Sequence, residues 1–452
     1  MLNSTIVGLS AILLASNPFS LAQTTGRRMF NVDRSIFSKS LHNVFYFNTF
    51  LGSAKFSKAT FDNIIGGAIK VESYDAKDQV IEKRFSPNIM SQNYYSFESC
   101  MFRKCFTTGE KSNGGAISIN VNPGIDYDVD LSLEFSSFYN CYVAGGQGGA
   151  IYGFRIGDVD IKETCFQQCT TREKSETEDT GSGTACYIWH RANTERCRLR
   201  GSSFDRCPET GVMNPNTETV FFVLMGRADS DDCNFTNNFI EKVASAIAFT
   251  EQHSCDVDFT SFINCSGECT IFLSGQTDAN CDINTVNFVN CASHPDTKNP
   301  AIILGYATVV TLEKCVFIMG TDKYLAARSE TDTTSKFTFS DCIFDRKQND
   351  LVDTTICNFN SCNFDVSSPE TNKFTFFDSR ECWEIEPDRL PASNTVYAFL
   401  LFFALFGAIV GFGLYLQLTQ VLGGNTVISE NYDAAPAVSE PINKASYDAI
   451  PE

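Results

Sequence analysis

Nineteen cysteines, four histidines and a scatter of carboxylates are the residues of this 452-residue chain whose chemistry could be put to use. Thiols can ligate soft metals, cross-link as disulfides or pack as small apolar groups. Cys165-x-x-x-Cys169 and Cys265-x-x-x-Cys269 have a spacing that could ligate metal. Many cysteines beside so few histidines argue instead for disulfides or buried thiol stacks in an oxidising compartment. The odd count leaves at least one thiol unpaired within a monomer. Hydrolysis of galacturonan needs clustered Asp with a nearby His and Arg or Lys, and no Asn-Thr-Asp, Gly-His-Gly or Arg-x-Lys set surrounds Asp231-Asp232. His42, His190, His253 and His294 are far apart with no repeat to gather them. Gly109-Glu-Lys-Ser lacks the glycine spacing of a phosphate loop, and Gly145-Gly-Gln-Gly-Gly opens no helix and reads as a turn. The residues therefore predict no catalytic set, no metal site and no cofactor. A glycosidase needs only two carboxylates about 5–10 Å apart, so a carbohydrate-active enzyme stands as the alternative.

The cysteines are positioned by a repeat. Phe-x-x-Cys occurs nine times, beginning at Phe97, Phe102, Phe138, Phe166, Phe204, Phe262, Phe288, Phe339 and Phe359; composition alone would give about 1.7 copies, and such self-similarity marks stacked repeats. Cys105, Cys141, Cys265 and Cys291 close four of these copies, and Phe-x-x-Asn replaces the unit at Phe45–Asn48, Phe85–Asn88 and Phe235–Asn238. A second unit, Gly-Gly-Ala-Ile, stands at Gly66-Gly67-Ala68-Ile69, Gly114-Gly115-Ala116-Ile117 and Gly148-Gly149-Ala150-Ile151. Gly183-Thr-Ala-Cys186 and Ser245-Ala-Ile-Ala248 are weaker echoes. Apolar residues recur at i, i+2, as in Ile117/Ile119/Val121 and Cys315/Phe317, which puts them on one face of a strand.

Short strands at a period of 26–38 residues, with glycine corners and no capped helical stretch, predict an all-β fold. A propeller blade needs about 40–50 residues, whereas a coil of three short strands needs fewer. The expected fold is thus a right-handed parallel β-helix of the pectin-lyase kind, over residues 23–391. Inward Phe and Ile would stack on their equivalents about 4.8 Å away. Gly-Gly would form a corner that tolerates positive φ and carries no Cβ. Asn140, Asn264 and Asn290 would build an amide ladder at another corner.

The flanks predict a secreted, anchored protein. Residues 1–22 read as a signal peptide, with an apolar core over Ile6–Ala15 and small residues before Gln23. Val396–Leu416 is uncharged over 21 residues, long enough for one transmembrane helix. That order gives a type I plasma-membrane protein with a short cytoplasmic tail, residues 417–452. Tyr447-Asp-Ala-Ile450 has the form of a tyrosine sorting signal, and Asn234-Phe-Thr and Asn264-Cys-Ser are glycosylation acceptors, the second expected to be buried in the repeat. Net charge is −19 with no basic cluster, which disfavours nucleic acid as a partner.

Gly-Gly-Ala-Ile alternating with Phe-x-x-Asn resembles the repeat of the polymorphic membrane proteins, bacterial surface adhesins with a β-helical passenger. Carried on a single-pass anchor, it is similar to surface proteins of some parasitic protists. The likeness covers roughly residues 45–365; Cys stands for Asn in most copies, and full glycine units stop after Ile151. The resemblance implies an adhesin that binds a host-cell or matrix ligand through its loops, Asn122–Asp130 and Thr170–Ser182 among them. Lateral self-association through the Gly407-x-x-x-Gly411 pair and a coat protein without specific ligand are the other expectations.

Overall fold

In a computed structural model, the described residues are 4–7, 10–12, 29–47, 53–72, 93–108, 112–122, 129–172, 182–208, 219–240, 242–294, 297, 299–320, 322–352 and 354–374. They are nearly all parallel β structure, with long sheets compatible with a β-helix. One coil shows the plan. Ile151–Ile156 and Val159–Lys162 lie in a 20-stranded sheet, Cys165–Gln167 in a 12-stranded sheet, and Thr170–Arg172 in a short three-stranded one. The first three pair in parallel with the equivalent strands of the coil before and the coil after, and Thr170–Arg172 with that of the coil before. The chain thus turns through three faces and a short fourth segment before it rises to the next coil.

The core is a column of rings. Phe37, Phe61, Phe102, Phe138, Phe166, Phe204, Phe235, Phe262, Phe288, Phe317, Phe344 and Phe364 stack without a break, with centroids 4.6–5.3 Å apart. That separation is the strand spacing, so parallel in-register pairing makes the stack unavoidable once one residue type fills the slot. From Phe37 to Phe344 these rings are buried.

The cysteines explain the corner. In Phe-x-x-Cys the residue before Cys takes positive φ, as at Lys104 (52°), Asn140 (49°), Gln168 (55°) and Asn264 (53°). The chain turns there and the thiol points inward. It donates to the carbonyl of the column phenylalanine one coil earlier: Cys105 to Phe61 at 3.6 Å, Cys141 to Phe102 at 3.5 Å, Cys265 to Phe235 at 3.3 Å and Cys291 to Phe262 at 3.3 Å. Weak donors suffice because the alternative is a buried carbonyl with one lone pair empty.

Several expectations are corrected. The nine Phe-x-x-Cys copies are not one rung: Phe97, Phe339 and Phe359 lie on the 20-stranded sheet and turn into a different corner, where Cys100, Cys342 and Cys362 donate to Phe56, Leu312 and Phe339. Phe45 pairs with Ile69 rather than joining the column; Asn48, Phe85 and Asn88 lie outside the described residues. Asn140 is separated from Asn264 by the turns at Gln168, Arg206 and Asn237, while Asn290 follows Asn264 directly; among the described residues Asn264 Nδ2 bonds Asn237 Oδ1 at 3.1 Å. In the Ser245 echo the register is offset by one, for Ile247 takes the place of Ile151. Asn264 is exposed and Asn234 half-buried, the reverse of the expected order.

Cys255 and Cys281, neither in a repeat unit, bridge adjacent coils at a Cα separation of 4.7 Å. Cys165 is disulfide-bonded, but Cys169 is a free thiol. Ser4–Val7 and Ser10–Ile12, inside the stretch read as a leader, are strands paired with Met29–Asp33 and Ile36–Ser38. No helix among the described residues is long and apolar enough to cross a membrane. The span 396–416 and the tail with Tyr447 and Ile450 lie outside them.

Candidate binding surface

The glycine units build one corner on successive coils. Gly66, Gly114, Gly148 and Gly183 take φ of 91°, 69°, 68° and 69°. The second glycine meets a different demand: a Cβ on Gly115 would lie 2.2 Å from the Gly149 carbonyl oxygen, and one on Gly149 2.0 Å from that of Thr184. Ala116 N donates to Ala150 O at 3.0 Å and Ala150 N to Ala185 O at 2.9 Å, so the alanines knit the corners together. Ile69, Ile117 and Ile151 then point inward and are buried. These residues, like Phe102, Cys105, Phe138, Cys141, Phe235, Asn238, Phe262, Cys265, Phe288 and Cys291, form the body of the coil; Gly66, Ile69 and Gly114 also border a cavity.

The residue after each isoleucine lies on the strand face turned away from the ring column, where Ser118, Tyr152 and Tyr187 are nonetheless buried. In register this column reads Lys70, Ser118, Tyr152, Tyr187, Phe222. Tyr152 and Tyr187 stack at 5.4 Å and Tyr187 and Phe222 at 4.9 Å. Beside it, Phe154 meets Trp189 edge-on at 4.7 Å. A cavity of about 250 Å³ opens where the ring column ends, lined by Ser118, Tyr152 and polar residues of the glycine corners.

The next face carries acid. Asp229, Asp256 and Asp282 are in register on adjacent strands, and Asp231 and Asp258 form a second row two residues on. Arg196 pairs with Asp229, and Arg200 with Asp160 at 2.9 Å. Partial burial, reinforced by the neighbouring carboxylates, pushes the Asp258 carboxyl up to about 6 and raises Asp256 and Asp231 in the same direction. Among the described residues no group of three or more His, Cys, Asp or Glu is placed to hold a metal ion. His190 is buried with Nδ1 2.8 Å from the Gly157 carbonyl oxygen, and burial takes its pKa down to about 4.

No family model, curated protein or solved structure matches the chain.

Both surface features had a signal in the sequence. The acid rows are Asp229-Ser-Asp231, Asp256-Val-Asp258 and Asp282-Ile-Asn284, each starting six residues before a column phenylalanine. The ring column is the position after the motif isoleucine. Attention to inward residues hides both, since period two assigns alternate residues to solvent. Most of the two predicted contact loops, residues 123–128 and 173–181, lies outside the described residues.

Proposed function

We propose that this chain is a cell-surface adhesin: a right-handed parallel β-helix of the pectin-lyase kind, held at the plasma membrane by the 396–416 span with its coils outside. The observation that carries the reading is the parallel in-register stacking of equivalent coils, which repeats every position facing away from the core, whether covered, as at Ser118, Tyr152 and Tyr187, or partly exposed, as at Lys70 and Phe222. Lys70, Ser118, Tyr152, Tyr187 and Phe222 occupy one position on five successive coils. Parallel stacking repeats such a position about every 4.8 Å. Linked weak sites raise effective concentration, so avidity can exceed single-site affinity by roughly 10²–10⁴. The resemblance to polymorphic membrane proteins points the same way.

The test is attachment of cells expressing the full chain to host or neighbouring cells, with and without glycan-removing treatment. Replacing the loops in Asn122–Asp130 and Thr170–Ser182 by short Gly-Ser turns should reduce attachment while surface level and β signal persist. Unchanged attachment removes the loops as the adhesive surface. A tag after Glu452 should be hidden from antibody on intact cells, and Tyr447→Ala should raise surface level if the tail sorts.

A second reading, a carbohydrate-active hydrolase, is favoured by one observation. Burial and like charge raise the Asp258 carboxyl beside Asp231 and Asp256, which are raised in the same sense, and a raised carboxyl is what a general acid requires. Release of reducing sugar from polysaccharides, lost in Asp258→Asn, would support it; no release from a broad panel would remove it.

A further inference from the structure

We propose that the cavity at the Ser118 step is a binding site for a neutral saccharide, one pyranose ring in size, resting on the adhesin reading and naming its ligand class. Three observations converge. The first is the break in the outward column. Rings occupy it at Phe222, Tyr187 and Tyr152, and at the next coil the position is Ser118, 6 % exposed. Serine is too short to continue the stack, and the cavity of about 250 Å³ opens there, lined by both Ser118 and Tyr152. That volume lies just below the roughly 300–1,000 Å³ of small-molecule pockets, enough for one sugar ring.

The second is an orphaned donor. Thr107 is 6 % exposed and lines the cavity, yet its hydroxyl has no hydrogen-bond partner. A buried hydroxyl left without a partner costs about 1–3 kcal/mol, and a ligand hydroxyl would remove that cost. The third is charge. Lys70 and Glu72 are the charged side chains among the lining residues, and they pair at 2.7 Å. The second Glu72 oxygen accepts from the Tyr46 hydroxyl at 2.9 Å. The opposite charges cancel, which disfavours an ionic ligand. What remains is hydroxyl and amide chemistry from Thr107, Ser118 and Asn120 beside the Tyr152 ring, whose hydroxyl bonds Asn113. Donors and acceptors around one aromatic face suit a pyranose, which presents hydroxyls at its rim and C–H groups on its face. The sugar would take the place of the missing ring.

Saturation-transfer NMR of the full chain in detergent micelles would test this. The probes are the methyl glycosides of glucose, galactose, mannose and N-acetylglucosamine at millimolar concentration. At least one should receive saturation, strongest at ring C–H protons. Thr107→Val keeps shape but removes the hydroxyl, and should weaken binding several-fold. Ser118→Tyr continues the ring column into the gap and should abolish transfer with the β signal intact. Absence of transfer to any glycoside, or transfer unchanged in both folded variants, overturns the proposal. Attachment separates the two readings: transfer without attachment leaves the saccharide site standing and removes the adhesin, and attachment without transfer does the reverse.

Discussion

The Asn238 side-chain amide donates to the Phe204 carbonyl at 3.2 Å, the same bond that the Cys207 thiol makes to Phe166 at 3.6 Å and the Cys265 thiol to Phe235 at 3.3 Å. Asn and Cys are therefore interchangeable at this corner for one reason. Each brings a small donor to a buried carbonyl of the coil before. Asn238 also accepts from Cys207 N at 2.8 Å, as the Cys207 sulfur accepts from Cys169 N at 3.4 Å. Asn238→Cys should be tolerated, whereas Asn238→Leu leaves the Phe204 carbonyl and the Cys207 amide short of a partner and should cost about 1–3 kcal/mol for each. Thermal unfolding of the two variants side by side checks the order; equal midpoints would refute it.

The ring column makes a positional prediction. Phe204 lies between Phe166 and Phe235, each at 4.6 Å. Phe204→Ala should cost about 3–5 kcal/mol. Phe364, at the far end, continues the column from Phe344 alone at 4.8 Å and is only half-buried. Coils touch only their neighbours, so an end rung has one interface to lose. Phe364→Ala should therefore shift the midpoint far less, and a larger shift than Phe204→Ala would contradict the column.

The thiols of Cys100, Cys105 and Cys169 should be chemically silent in the native chain. Burial raises Cys105 and Cys169 and pushes Cys100 up to about 12, away from the reactive thiolate. Iodoacetamide at neutral pH should spare these three and label them only after denaturation. The non-reduced digest should contain a peptide pair joined through Cys255 and Cys281 and a second cross-link at Cys165. Native labelling of Cys105 would show that this corner opens.

The period, the parallel β class and the buried rings were legible in the sequence; the assignment of copies to corners was not. The reason lies in local geometry. Phe97-Glu-Ser-Cys100 and Phe138-Tyr-Asn-Cys141 both end a strand, place their third residue at positive φ (54° at Ser99, 49° at Asn140) and turn a thiol inward. Two corners with one requirement write the same motif, and only strand pairing tells them apart. The converse hid other rungs. Phe61 and Phe37 belong to the column, yet the corner after them is filled by Ile64 and Ser40, which any motif search passes over. The cavity was invisible because a gap in a column is a property of register: Ser118 is unremarkable until Tyr152 and Tyr187 are stacked above it.

The acid rows predict how stability follows pH. Asp258 titrates near 6 in the folded chain, chiefly through partial burial and then through Asp256, Asp231 and Asp282. An unfolded aspartate titrates near about 3.9. The folded state thus binds a proton more tightly, so its contribution is fully present below about pH 4 and is lost as pH rises through about 6. Asp256 and Asp231, also raised, act in the same sense. The wild-type melting temperature should therefore fall between pH 5 and pH 7.5 at low salt. Added salt should recover part of the loss at pH 7.5, since screening weakens repulsion between carboxylates. Asp258→Asn removes the titrating group while keeping its size. It should raise the melting temperature at pH 7.5, change it little at pH 5 and flatten the slope between them. A variant that is equally destabilised at both pH values would show that Asp258 contributes by contact rather than by charge.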